Sequence, residues 1–92
     1  MAFFLTRLQV GDYDRWKPMF DEDGPGARSA STGHQLFRNA DDPGEVYILV
    51  EFASVEDARE ARARLLASNV LDRFPDKSPP VIVELSEHVE RR

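Results

Sequence analysis

Residues 2–10, AFFLTRLQV, are rich in strand-forming side chains and end at Gly11, which predicts a first strand. Asp12 then offers a helix cap. Behind it Tyr13, Trp16 and Phe20 recur at i, i+3 and i+7, aligning three aromatic rings on one face of a helix. Pro18 lies too deep for the first turn, so the lost N–H and the ring clash predict a kinked or divided helix. The run Asp21-Glu22-Asp23-Gly24-Pro25-Gly26 closes it. Alternation resumes from Thr32 to Ala40, and Asp41-Asp42-Pro43-Gly44 reads as the turn into a third strand from Glu45 to Ala53. Ser54 opens a second helix with Glu56 and Asp57 in its first turn, where carboxylates suit the exposed N–H groups. Val55, Ala58, Ala61, Leu65 and Leu66 form its apolar stripe, and Asn69 ends it. The segment from Val70 to Lys77 holds Leu71 and Phe74 but stops at Pro75, giving an ordered loop or a short extra turn. Pro79-Pro80 then leads into a last strand, Val81 to Ser86.

Strand, helix, strand, strand, helix, strand is the split βαβ order, an α+β ferredoxin-like fold with one four-stranded antiparallel sheet and a single domain over residues 1–92. Right-handed crossovers put strand 1 in the centre between strands 3 and 4, strand 2 at an edge, and both helices on one face. With 41–44 as the hairpin loop, Phe37 faces Ile48, Leu36 faces Leu49, Arg38 faces Tyr47 and His34 faces Glu51. The helix-covered face is then Val46, Ile48, Val50 and Phe52 with Phe37, Val81, Val83 and Leu85. The other face carries His34, Leu36, Arg38, Tyr47, Leu49 and Glu51 from the hairpin, with Arg7 from strand 1 and Ile82 and Glu84 from strand 4. That mixture is too apolar for water and too polar for an ordinary core, so the sheet of a second copy is its natural cover.

Composition narrows the chemistry. The chain has 92 residues, 41% of them hydrophobic, and no cysteine, which excludes disulfides, zinc–thiolate sites and a thiol nucleophile. A domain of this size buries roughly 60–65% of its unfolded surface, a reason to expect self-association. Twelve basic and seventeen acidic residues leave a net charge of −5, the wrong sign for neutralising phosphates, so nucleic acid is not expected as a partner. The apolar start Met1-Ala2-Phe3-Phe4-Leu5 is interrupted by Arg7, too short for a signal peptide or a membrane span; a cytoplasmic protein with no membrane partner is expected. There is no Gly-rich phosphate loop and no nucleophile elbow. The only histidines are His34 and His88, and Asp21-Glu22-Asp23 lacks the alternate spacing of a calcium loop, so neither a metal nor a cofactor is expected.

The segment Asp12-Tyr13-Asp14-Arg15-Trp16-Lys17-Pro18-Met19-Phe20-Asp21, with Gly33, Leu36-Phe37-Arg38, Asp42-Pro43-Gly44-Glu45-Val46 and Glu51-Phe52, resembles the dimeric α+β barrel superfamily. It is most similar to small bacterial members related to antibiotic biosynthesis monooxygenase-like and cyclase-like proteins. The resemblance implies a homodimer with sheets packed face to face and a ligand site between the first helix and the sheet. Enzymes of the superfamily include cofactor-independent monooxygenases of aromatic polyketides, haem-degrading enzymes and cyclases. The monooxygenases combine an asparagine, a tryptophan and a histidine or arginine. Here the single tryptophan is Trp16 on the first helix, strand 1 has no asparagine and Asn39 ends strand 2, so no catalytic residue carries over.

Three functional readings follow. In the first, the protein binds a small apolar or aromatic molecule in a cavity between helix 1 and the sheet, with Tyr13, Trp16 and Phe20 as its aromatic wall; the same stripe is also what plain core looks like. In the second it is a cofactor-independent cyclase or monooxygenase of polyketide-type secondary metabolism. His34 is then the general base, oriented by Glu51 across the hairpin, and Trp16, Arg38 and Tyr47 position the substrate. In the third the dimer itself is an interaction module. The structural alternatives are a His34–Glu51 pair that ties an edge strand and an Arg38–Tyr47 cation–π contact. Arg7 is expected to neutralise Glu51 or Glu84.

Overall fold

The computed structural model of the chain describes residues 1–91. In chain order it comprises β1 (Ala2–Gln9), α1 (Tyr13–Glu22), β2 (Gly33–Asn39), β3 (Asp42–Phe52), α2 (Val55–Ala67), a 3₁₀ turn (Val70–Arg73) and β4 (Lys77–Glu84). The strands pair in the order β2-β3-β1-β4, every pairing antiparallel, with β1 and β3 in the middle. This is the ferredoxin-like α+β fold that the element order predicts. Ala2, Phe4, Thr6 and Leu8 of β1 and Val46, Ile48, Val50 and Phe52 of β3 are buried beneath the helices. Thr6 is the one buried polar side chain among the described residues, and its hydroxyl donates to the Ser78 carbonyl (2.8 Å) where the β1–β4 ladder is irregular.

Caps fix the helix starts as their sequence suggests. The Asp12 carboxylate accepts from the backbone N–H of Asp14 (3.0 Å) and Arg15 (3.3 Å), and the Ser54 hydroxyl accepts from Asp57 N–H (3.1 Å). Pro18 does not divide α1, which runs through it for ten residues; the exposed proline forfeits one helical hydrogen bond. β4 starts at Lys77 and takes in Pro79 and Pro80, which an edge strand tolerates because its outer N–H groups face no neighbour. It ends at Glu84, leaving Leu85 and Ser86 outside the sheet.

The hairpin register differs from the expected one by a single residue. Ala40 and Asp41 alone form the turn, Asn39 faces Asp42, and Pro43-Gly44-Glu45 is extra length within β3 rather than loop. Gly44 lies against β1: its carbonyl accepts from Val10 N–H (2.8 Å), and a Cβ there would fall 2.5 Å from Gln9 Oε1 and 2.7 Å from the Gly11 carbonyl oxygen. The turn-forming glycine is therefore needed for close approach of two strands. Because side chains alternate, a one-residue slip moves all of β2 to the opposite face. His34 faces Val50, Leu36 faces Ile48 and Arg38 faces Val46, so these three share the helix-covered side. Phe37 faces Tyr47 on the open side, and Gly33, not His34, faces Glu51. Likewise Ile82 lies opposite Phe4 and packs against the core, whereas Val81 lies opposite Leu5 and Val83 opposite Phe3 on the open face.

Candidate functional site

The two helices meet the covered face differently. α2 approaches β1, β3 and β4 closely through Ala58 and Ala61, both buried, as small side chains permit. α1 makes no comparable approach and buries one residue, Trp16. Its aromatic rings act as spacers: Trp16 packs against Tyr13 (centroids 5.8 Å apart) and against Phe20 (5.1 Å).

Under α1 this leaves a partly open cavity of about 390 Å³. Phe4, Thr6, Ile48 and Val50 of the sheet form its floor, and Trp16, Met19 and Phe20 its roof. Ala61 and Leu65 of α2 line one side, and Leu71 and Phe74 from the 3₁₀ turn close it. Since the Thr6 hydroxyl is committed to Ser78, the floor presents little unsatisfied polarity. The segment after α1 folds over the remaining side. Asp23 stops the helix in a left-handed conformation (φ 47°), and its carboxylate accepts from Arg28 N–H (2.9 Å). The Arg28 guanidinium lies 3.8 Å over the Phe20 ring, donates to the Phe20 carbonyl and sits 3.7 Å from Asp23.

Of the residues expected at a site, Trp16 and Phe20 line this cavity. Tyr13 extends the aromatic row outward and is covered by Arg38, whose guanidinium carbon is 4.1 Å from the ring centre. His34 is exposed and stands edge-on to Phe20 (5.3 Å) without lining the cavity. Tyr47 and Glu51 are on the opposite side of the sheet. The His34–Glu51 and Arg38–Tyr47 pairs are therefore not formed, because both rested on the slipped register. Arg38 finds Tyr13 in place of Tyr47.

On the open face Arg7 pairs with neither Glu51 nor Glu84. Its Nε donates to Glu45 Oε2 (2.7 Å) and its terminal nitrogen to Asp76 (2.8 Å). Glu45 also accepts from the Tyr47 hydroxyl (2.6 Å) and from Asn39 Nδ2 (3.0 Å). The hydrogen bonds from Tyr47, Asn39 and Arg7, in that order, hold the Glu45 carboxyl down to about 2. The same bond to Glu45 raises the Tyr47 phenol above its ordinary value. Among the described residues no three His, Asp or Glu side chains gather as a metal site requires, and no helix is long and apolar enough to cross a membrane.

The wall includes residues that pattern reading passed over. Leu71 and Phe74 carried a signal, an apolar pair three apart in a segment left as loop. Thr6 was visible as the one polar side chain among the inward positions Ala2, Phe4, Thr6 and Leu8. Arg28 gave no local signal, since only the chain reversal after Asp23 brings it to Phe20.

No protein-family profile matches the sequence, and no curated protein is similar to it. Solved structures with a similar fold do exist. A mutant of SnoaB, a cofactor-independent oxygenase from Streptomyces nogalater, superposes with a TM-score of 0.74 at 14% identity, covering 98% of this chain and 97% of its own. A Deinococcus radiodurans protein provisionally named an antibiotic biosynthesis monooxygenase gives 0.71 at 11% identity, covering 100% and 99%. A mutant of MhuD with two manganese protoporphyrin IX molecules bound per active site gives 0.66 at 15% identity, covering 99% and 100%. These neighbours share the ferredoxin-like α+β fold of this chain.

Proposed function

We propose that the protein binds a small apolar or aromatic molecule in the cavity beneath α1. The observation that carries this is the space of about 390 Å³ roofed by Trp16 and Phe20, within the range of small-molecule pockets, roughly 300–1,000 Å³. The test is titration with the neutral fluorophore N-phenyl-1-naphthylamine. Binding should saturate at one probe per chain, quench Trp16, and weaken about tenfold or more in Leu65→Phe, which fills the cavity. Unsaturable binding, or binding indifferent to that substitution, would remove the proposal. A monooxygenase reading draws support from neighbours named as oxygenases. For it the chemistry belongs beside Trp16, since His34 stands outside the cavity and Glu51 faces away.

The same proposal includes a homodimer through the open sheet face. Leu5 (36% exposed), Phe37 (51%), Tyr47 (38%) and Val81 (45%) share that face, an apolar surface of the kind that marks an association site. Sedimentation should give twice the 10.5 kDa chain mass, and Phe37→Arg with Val81→Glu should return it to the monomer. A monomeric wild type at micromolar concentration would contradict the dimer while leaving the cavity untouched.

A further inference from the structure

We propose that the ligand of this cavity is an aromatic anion, with its rings enclosed under α1 and its acidic group held at the mouth by Arg73 and Arg15. This rests on the cavity reading above and goes further in naming the ligand's charge. The two ends of the cavity differ in their electrostatics. At the end near the α1 C-terminus the positive group is already satisfied: Arg28 has the Asp23 carboxylate, the Phe20 ring and the Phe20 carbonyl. Among other cations of the two helices, Lys17 is matched by Asp21 (2.6 Å) and Arg64 by Glu60 (2.8 Å), whereas Arg59 and Arg62 do not line the cavity or its mouth.

At the opposite end Arg73 lines both the cavity and an open hollow outside it, with Trp16, Met19 and Phe74 as the shared wall. Arg15 lines that hollow as well. Among the described residues neither arginine has an ion pair or a side-chain hydrogen bond. The hollow's one carboxylate, Asp12, is occupied in capping α1. In a chain with a net charge of −5, two exposed arginines without an ion pair therefore border the hollow where a ligand's head would emerge from an apolar, aromatic-walled space. Guanidinium groups bind planar and oxyanion acids through paired donors.

The test compares two probes with the same aromatic frame: 1-anilinonaphthalene-8-sulfonate, an anion, and the neutral N-phenyl-1-naphthylamine. The expected result is that Arg73→Gln combined with Arg15→Gln weakens the sulfonate about tenfold or more and the neutral probe less than about twofold, while Arg73→Lys, which keeps the charge but not the paired donors, loses less sulfonate affinity than Arg73→Gln. Leu65→Phe should release both. Neutral-probe binding in the cavity with a sulfonate indifferent to both arginines would overturn the anion assignment alone, as would sulfonate binding that survives Leu65→Phe. Failure of the neutral probe to bind the wild type would instead overturn the cavity reading. Each single arginine variant, checked by circular dichroism, guards against a misfolded double variant: a folded pair of singles without loss of sulfonate affinity counts against the proposal.

Discussion

α2 meets the sheet through alanines and α1 through aromatic rings, and the space between each helix and the strands follows from that choice. Ala58 and Ala61 bring the α2 backbone down onto β1 and β3; Ala58 sits in a packed seam, and Ala61 stands where that seam meets the cavity. Trp16 and Phe20 hold α1 at the length of a ring, and no side chain fills what lies beneath. One face of one sheet thus carries a packed seam and a cavity side by side. Large residues on a helix do not ensure tighter packing; they can hold the helix away from the sheet.

This comparison can be broken by substitution. The largest effect is expected at Phe52 on the covered face of β3, which also borders the cavity: Phe52→Ala should cost about 3–5 kcal/mol because Phe52 is 1% exposed and its loss removes a large buried side chain. Denaturant unfolding would measure it. Ala58→Leu, an insertion in the packed seam, should cost about 1–3 kcal/mol, for Ala58 is fully buried with nowhere to expand. Ser54→Ala and Asp12→Ala should each cost about 1 kcal/mol through loss of a cap, and because the caps are alike the two helices should respond alike. Leu65→Phe, an insertion facing the cavity, should cost less than about 1 kcal/mol, since the added atoms have space to enter. Equal penalties for Ala58→Leu and Leu65→Phe would mean that the two regions are packed alike.

The pH dependence concerns the other face of the sheet. Glu45 is held from 4.5 down to about 2 by Tyr47, Asn39 and Arg7, so its folded form binds protons less readily than its unfolded form. Its contribution to stability is therefore complete above about 4.5 and is lost as pH falls toward about 2. Stability against pH in Glu45→Gln should show a shallower slope in that window and, near neutrality, the slope of the wild type at a lower stability. A slope identical to wild type across that window would exclude the Arg7–Glu45–Tyr47 cluster as its source.

The fold was legible because three kinds of signal agreed. Strand-forming runs ended at glycine or turn residues, Asp12 and Ser54 capped as expected, and the element order admitted one right-handed topology. The aromatic stripe of α1 also pointed to the cavity, and α1 runs undivided through Pro18. The candidate base was lost at a single point. Asp42-Pro43-Gly44 has the composition of a loop, yet Gly44 is held within β3 by its contact with Val10 and Gly11, and nothing local distinguishes a turn glycine from one needed for close approach. That slip carried His34, Leu36 and Arg38 across the sheet and dissolved both proposed pairs. Arg28 and Arg73 were illegible for another reason: their positions depend on where the chain returns, not on their neighbours in sequence.

The central claim is that α1 stands off the sheet over an unfilled, apolar space. A crystal of the protein pressurised with xenon tests it directly, because xenon enters empty apolar cavities and leaves packed seams alone. The account predicts an electron-dense peak between Trp16 and Leu71 and none between Ala58 and the sheet. Side chains occupying that space, or xenon no more abundant there than at the α2 seam, would contradict it.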